Sequence, residues 1–182
     1  MAFVKKHWSN ILLLVLVGLL LFPPTGKPIK VFIHQMIAFS PSVKSEQTRT
    51  KIETYNWLLK DESGNEINFN SFKGGKIIVN FWATWCPPCI AEMPSMQALY
   101  NDFGDDVVFL FVTQDDPTIA RTFLDSRSLD LPVYWAVTAP IPEFEGNSLP
   151  TTYVINENQE IIVKKVGSAN WNSDKMRKLL SD

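Results

Sequence analysis

The stretch Lys76–Pro94, KIIVNFWATWCPPCIAEMP, limits what this chain can fold into more than any other part of it. Ile77, Ile78, Val79, Phe81 and Trp82 make a short apolar run, which suits a strand buried on both faces of a sheet. Ala83-Thr84-Trp85 leads into Cys86-Pro87-Pro88-Cys89, and then Ile90, Met93, Met96, Ala98 and Leu99 recur at helical spacing. The cysteines therefore belong on a strand-to-helix turn with Cys86 at the helix N-cap. Proline fits the first helical turn, where an amide N–H lacks an intrahelical partner anyway. The partial positive charge of the helix N-terminus favours the Cys86 thiolate. Two thiols placed in this way supply an attacking and a resolving sulfur, with Cys86 reachable from solvent and Cys89 turned inward. That is a dithiol–disulfide exchange site.

The only two cysteines of the 182-residue chain lie in this motif, so the pair is redox-active or metal-binding and not part of a disulfide scaffold. Charge is unevenly divided. Residues 1–50 carry six basic side chains against Glu46 alone, or +5, and the rest carries 11 basic and 18 acidic, or −7. An acidic body without a basic stripe argues against a nucleic-acid partner. The length accommodates one domain plus an appendage.

The appendage is residues 1–39. Lys5-Lys6 precedes Ile11–Phe22, ILLLVLVGLLLF, and Trp8 to Thr25 counts 18 residues, just enough to cross a bilayer with Trp8 at the interface. A cleaved signal peptide is the competing reading, but no small-x-small cleavage site follows. Residues 1–39 are thus expected to be a single-pass signal-anchor in the cell inner membrane, with the body on the periplasmic, extracytoplasmic side. The polar residues 40–51 read as a linker.

Residues 52–182 read as one α/β domain. Tyr55–Leu59 and Glu66–Phe69 flank a Gly-containing turn and predict an N-terminal β-hairpin. After the cysteine helix, which Pro94 should kink, Val107–Thr113 is a second buried strand. Asp116-Pro117 opens a helix with Ile119, Phe123 and Leu124 inward. Leu131–Val137 predicts a short strand and Ala139–Glu145 one helical turn. Thr151–Ile155 and Glu160–Val166 predict a hairpin across 156–159. Trp171–Leu180 predicts a closing amphipathic helix capped by Asn172 or Ser173, with Met176, Leu179 and Leu180 inward. The order is βαβ, an insert, then ββα: a central mixed sheet flanked by helices.

VNFWATWCPPC, the Glu92-Met93-Pro94 that follows it, and the distant Ser148-Leu149-Pro150-Thr151-Thr152 together resemble the thioredoxin fold. The resemblance is to its membrane-anchored TlpA/ResA-like thiol–disulfide oxidoreductases. It spans roughly residues 52–182 and implies a cis Pro150 opposite the cysteines, presenting the Leu149 backbone to an extended substrate strand. Trp85, Pro87, Pro88, Leu149, Pro150 and Thr151 are then the candidate substrate-binding residues. The resemblance further implies that the insert shapes partner recognition. The substrates are disulfides of exported proteins, apocytochrome c among them, and a membrane or periplasmic thiol protein supplies electrons. Beyond the Cys86–Cys89 disulfide it implies no cofactor.

Cytosolic thioredoxins carry a buried Asp six residues before the first cysteine. Here that position is Asn80, which cannot titrate. Glu92 follows Cys89 by three residues on the same helix and is the candidate proton acceptor, if burial raises its pKa; otherwise it is a solvated helix carboxylate. Two readings compete with a reductase. One is a disulfide oxidase or isomerase. The other is a Cu(I) module using the cysteines with Met93 or Met96. A zinc site is disfavoured because His7 and His34 lie in the anchor region and no third cysteine exists. The missing Pro87 and Pro88 amide donors, and carboxylates such as Glu92, Asp115, Asp116 and Glu143, predict a weakly stabilised thiolate and a reducing disulfide.

Overall fold

In a computed structural model, the structure describes residues 40–144, 146 and 148–181, together with His7, Trp8, Ile11 and Val17. The expected anchor falls almost entirely outside the described residues. Among those described, no helix is long and apolar enough to cross a membrane.

The strands are β1 (Thr50–Lys51), β2 (Leu58–Lys60), β3 (Glu66–Asn68), β4 (Lys76–Phe81), β5 (Val107–Val112), β6 (Val133–Ala136), β7 (Thr151–Ile155) and β8 (Glu160–Val166). The helices are α1 (Pro87–Phe103), α2 (Pro117–Asp125) and α3 (Asp174–Ser181). The strands form one sheet in the order β1-β8-β7-β4-β5-β6-β2-β3. The expected β2–β3 hairpin forms and extends the far edge through antiparallel pairing with β6. β4 sits mid-sheet, parallel to β5 and antiparallel to β7. Its apolar run is explained by that position, because Ile77, Ile78 and Val79 are all fully buried.

Alternate residues of β4 feed two cores. Ile78 joins Cys89, Met93, Met96 and Leu99 of α1, Ala120 and Leu124 of α2, and Met176 and Leu180 of α3. Ile77 and Val79 join Ile52, Tyr55, Trp57, Leu59, Phe69, Ile141 and Phe144. All three helices thus cover one face. Strands β4, β5 and β6 are parallel neighbours in sequence order. Right-handed crossovers between them put α1 and α2 on the same side. The expectation of helices flanking the sheet holds on that side only. An aromatic cluster from the hairpin region and the insert closes the other.

Local expectations differ at four places. The residues 139–144 form no helix; a single turn, closed by Phe144 N–H donating to the Ile141 carbonyl at 3.0 Å, replaces it. Pro140 and Pro142 explain this, since a residue preceding proline is pushed out of the helical region. Ile119 faces outward, because α2 buries only the Ala120/Leu124 stripe. Trp171 is fully buried but precedes α3, which begins at Asp174. Residues 44–51 do not hang free: Lys44 N–H donates to Ile162 O at 2.8 Å, and β1 pairs with β8. α1 continues through Pro94 to Phe103.

Candidate active site

Strand β4 ends at Phe81, and Trp82 N–H donates to Val112 O at 3.0 Å, tying the exit of β4 to β5. The turn that follows is held by a contact not foreseen from the sequence. The Asp115 carboxylate accepts from Thr84 N–H at 2.6 Å, and the Asp115 carbonyl accepts from Trp135 Nε1 at 2.8 Å. Cys86 is the N-cap of α1 in extended backbone, with Pro87 and Pro88 opening the helix. Cys86 and Cys89 are joined by a disulfide with their Cα atoms 5.3 Å apart. The first amide not removed by proline, Cys89 N–H, points at Cys86 Sγ at 3.3 Å. Two donors are therefore missing from the turn, and the third is aimed at the sulfur.

Cys86 is 4% exposed and Cys89 fully buried, so both sulfurs are shielded and only Cys86 keeps an edge at the surface. Beside them Trp85 is 64% exposed, whereas Trp82 is packed in the helix-side core. Met93 and Met96 lie in that core as well.

Glu92 is not a solvated carboxylate. It is 2% exposed, one helical turn beyond Cys89. Oε1 accepts from Asn80 Nδ2 at 2.8 Å; Oε2 accepts from Trp171 Nε1 at 2.8 Å and from Ala169 N–H at 3.2 Å. Asn80 Nδ2 also donates to Thr152 Oγ1 at 2.7 Å. Burial pushes the Glu92 pKa up to about 7; the Trp171, Asn80 and Ala169 donors and the charge of Lys165 restrain the rise. Asn80, at the position of the cytosolic thioredoxins' aspartate, thus serves as a donor to this carboxylate. The Glu92–Trp171 and Asn80–Thr152 contacts were not foreseen, because nothing local in the sequence marks a contact across 79 or 72 residues.

The Leu149–Pro150 bond is cis. Register pairs Thr151 with Phe81 and Thr152 with Asn80, so Pro150 lies at the level of Trp82, where β4 leaves for the cysteines. Pro150 and Thr151 are buried, and Thr151 Oγ1 donates to Ser148 O at 2.6 Å. Leu149, Trp82, Trp85, Asp115, Ile141 and Phe144 line a groove of about 790 Å³. Pro87 and Pro88 are half-buried. Of the other acidic candidates, Asp116 caps α2 and Glu143 accepts from Glu53 N–H at 2.9 Å.

Residues 52–164 match the AhpC/TSA family. The chain belongs to that family. It is similar to the thiol–disulfide oxidoreductase ResA of Halalkalibacterium halodurans, 32% identical over 119 residues, which are 63% of this chain and 67% of the relative. It is also similar to sporulation thiol–disulfide oxidoreductase A of Bacillus subtilis, 26% identical over 145 residues, 76% of this chain and 87% of the relative. Among solved structures, StoA of Bacillus subtilis matches with a TM-score of 0.54 at 27% identity, covering 69% of this chain and 95% of that one. A DsbF homologue of Corynebacterium diphtheriae shares the fold, with a TM-score of 0.59 at 16% identity over 78% of this chain and 93% of that one. The ResA-like resemblance of the WCPPC and LPTT motifs is thereby borne out, and with it the thioredoxin-like fold of this AhpC/TSA-family chain.

Proposed function

We propose that this chain, a thioredoxin-like thiol–disulfide oxidoreductase, is tethered by residues 1–39 to the outer face of the cell inner membrane and reduces disulfides of exported proteins there. Cytochrome c maturation is the process this reading favours. The observation that carries it is the Cys86–Cys89 pair at the start of α1 with a buried carboxylate, its pKa raised to about 7, one turn away. In the reduced protein the Cys86 thiolate attacks one sulfur of a substrate disulfide. A Cys86–substrate disulfide forms, and the other substrate sulfur leaves as a thiolate. Glu92 takes the proton of Cys89, whose sulfur then attacks Cys86. The intramolecular disulfide closes, and the second substrate sulfur is released. Two electrons pass from protein to substrate, and a dithiol of a membrane or periplasmic thiol protein returns them.

The tether is supported by the charge split and by Trp8, Ile11 and Val17, which are helical and exposed although two of them belong to the apolar run. The direction is supported by the prolines, which remove two amide donors from the turn at Cys86. Equilibration with glutathione buffers, followed by Trp85 fluorescence, tests it. The reading expects a potential nearer roughly −270 mV than the roughly −120 mV of a strong oxidase. A value at the oxidising end overturns the reductase assignment. Cys89→Ser protein in its native membrane should accumulate the substrate on Cys86.

A further inference from the structure

A second groove, of about 600 Å³, shares Trp85 with the first and opens between α2 and the start of α1. Its apolar lining is Trp85, Ile90, Ile119 and Phe123. Ile119 is 57% exposed there, although helical periodicity alone would turn it inward. The single charged residue on the wall is Arg127, whose guanidinium stacks on the Phe123 ring at 3.9 Å and donates to Ser126 Oγ at 2.9 Å. Among the described residues no carboxylate pairs with it. The acids nearest the groove are engaged: Asp116 caps α2, Asp125 accepts from Arg121 Nε at 2.9 Å, Asp115 accepts from Thr84 N–H, and Glu92 is buried against Trp171 and Asn80. In a body of net charge −7, this is a held, unpaired cation beside exposed apolar surface, continuous through Trp85 with the exchange site.

We propose that this groove is a specificity site: it takes a large apolar side chain and an adjoining carboxylate, both near the cysteine that Cys86 attacks, from the partner polypeptide. The apolar side chain lies between Ile119, Ile90 and Trp85, and the carboxylate meets Arg127. Arg127 is suited to this because its stacking on Phe123 orients the guanidinium before the partner arrives, which reduces the ordering cost of the new ion pair. The Thr118 and Thr122 hydroxyls on the same wall offer further hydrogen bonds to a peptide backbone. The inference rests on the exchange chemistry proposed above and adds the sequence class of the partner.

The test uses the reduced full-length protein and synthetic peptides whose single cysteine is capped as an aryl mixed disulfide, so that attack releases a coloured thiol. One peptide carries Phe-Glu two residues from the cysteine, a second Phe-Lys, a third Gly-Glu. An exposed ion pair is worth a few-fold, so the Phe-Glu peptide should react about threefold faster than Phe-Lys at low salt, and the ratio should shrink as salt rises. Arg127→Gln should bring the ratio to one, Arg127→Glu should invert it, and Ile119→Ala should reduce the advantage of Phe-Glu over Gly-Glu. Each ratio is taken within one protein, so a general change in reactivity cancels. A wild-type ratio of one, or a ratio that Arg127→Glu leaves unchanged, overturns the specificity site while leaving the exchange chemistry standing. Failure to release the coloured thiol from any peptide overturns both.

Discussion

At the scale of single residues, Glu92 is where environment and chemistry meet. Its position three after Cys89 is readable from the sequence; its burial, and the Trp171 and Asn80 donors that satisfy it, are not. A carboxyl raised from 4.5 to about 7 holds its proton more tightly in the folded than in the unfolded chain. Its contribution is therefore fully present below pH 4.5 and is lost as pH rises through 7, by an amount on the order of 3 kcal/mol. Glu92→Gln should remove that loss. Denaturant melts at pH 5 and pH 8 should show the wild type weakening relative to the variant on the alkaline side. A glutamine can be accommodated, because the Asn80 amide can turn its oxygen toward the new donor. The same substitution should slow resolution of the Cys86 mixed disulfide roughly a hundredfold and flatten its pH dependence near 7. An unchanged pH–rate profile would leave Glu92 with a structural role alone.

Among the elements, the turn that presents the cysteines and the helix that supports it share one hinge, Asp115-Asp116. Asp115 accepts from Thr84 N–H, and Asp116 Oδ1 accepts from the Thr118 and Ile119 amides at 2.9 and 3.4 Å. The cap was legible because Asp followed by Pro at the first helical position is a strong start signal. The Asp115–Thr84 bond was not, since it joins two loops 31 residues apart. Asp116→Ala should cost about 1 kcal/mol, seen in thermal melts, with little effect on the cysteines. Asp115→Ala should cost about as much and also change the emission of Trp85, which lies next to the freed amide. Asp115→Asn keeps an acceptor and should restore the emission.

For the whole molecule, the unexpected feature is that the insert belongs to a core. Phe144 lies 4.8 Å from Tyr153 in a tilted contact and 5.5 Å from Trp57 edge-on, ring centre to ring centre, and also meets Phe69 and Phe81. It thereby bridges the hairpin region to β4 and β7 while its loop lines the groove beside Trp85. Phe144→Ala should destabilise the fold by roughly 3 kcal/mol or more, measured by chemical denaturation. An insert that merely lay on the surface would lose much less. Alteration of this loop is thus expected to trade stability against recognition, a coupling that a detachable loop would lack.

Periodicity and punctuation determined a great deal on their own. The apolar run of β4, the helical spacing after Cys89 and the Asp116-Pro117 start are local patterns. So are the two closing strands and the cysteine pair on its turn, and each is set by neighbours within a few residues. The motifs at 76–94 and 148–152, which lie apart in sequence, were enough to indicate the fold. Tertiary structure alone decided which side of each element faces which core. Ile119 left the core because two parallel crossovers place α2 beside α1, where the stripe at Ala120 and Leu124 is the one that meets the sheet. Residues 139–144 formed a turn, and its Phe144 was buried only because the helix-free face of the sheet needed closing. Glu92 acquired its raised pKa from burial and from donors 12 to 79 residues distant. Desolvation depends on everything packed around a group, and that is a property of the assembled fold rather than of any stretch of chain.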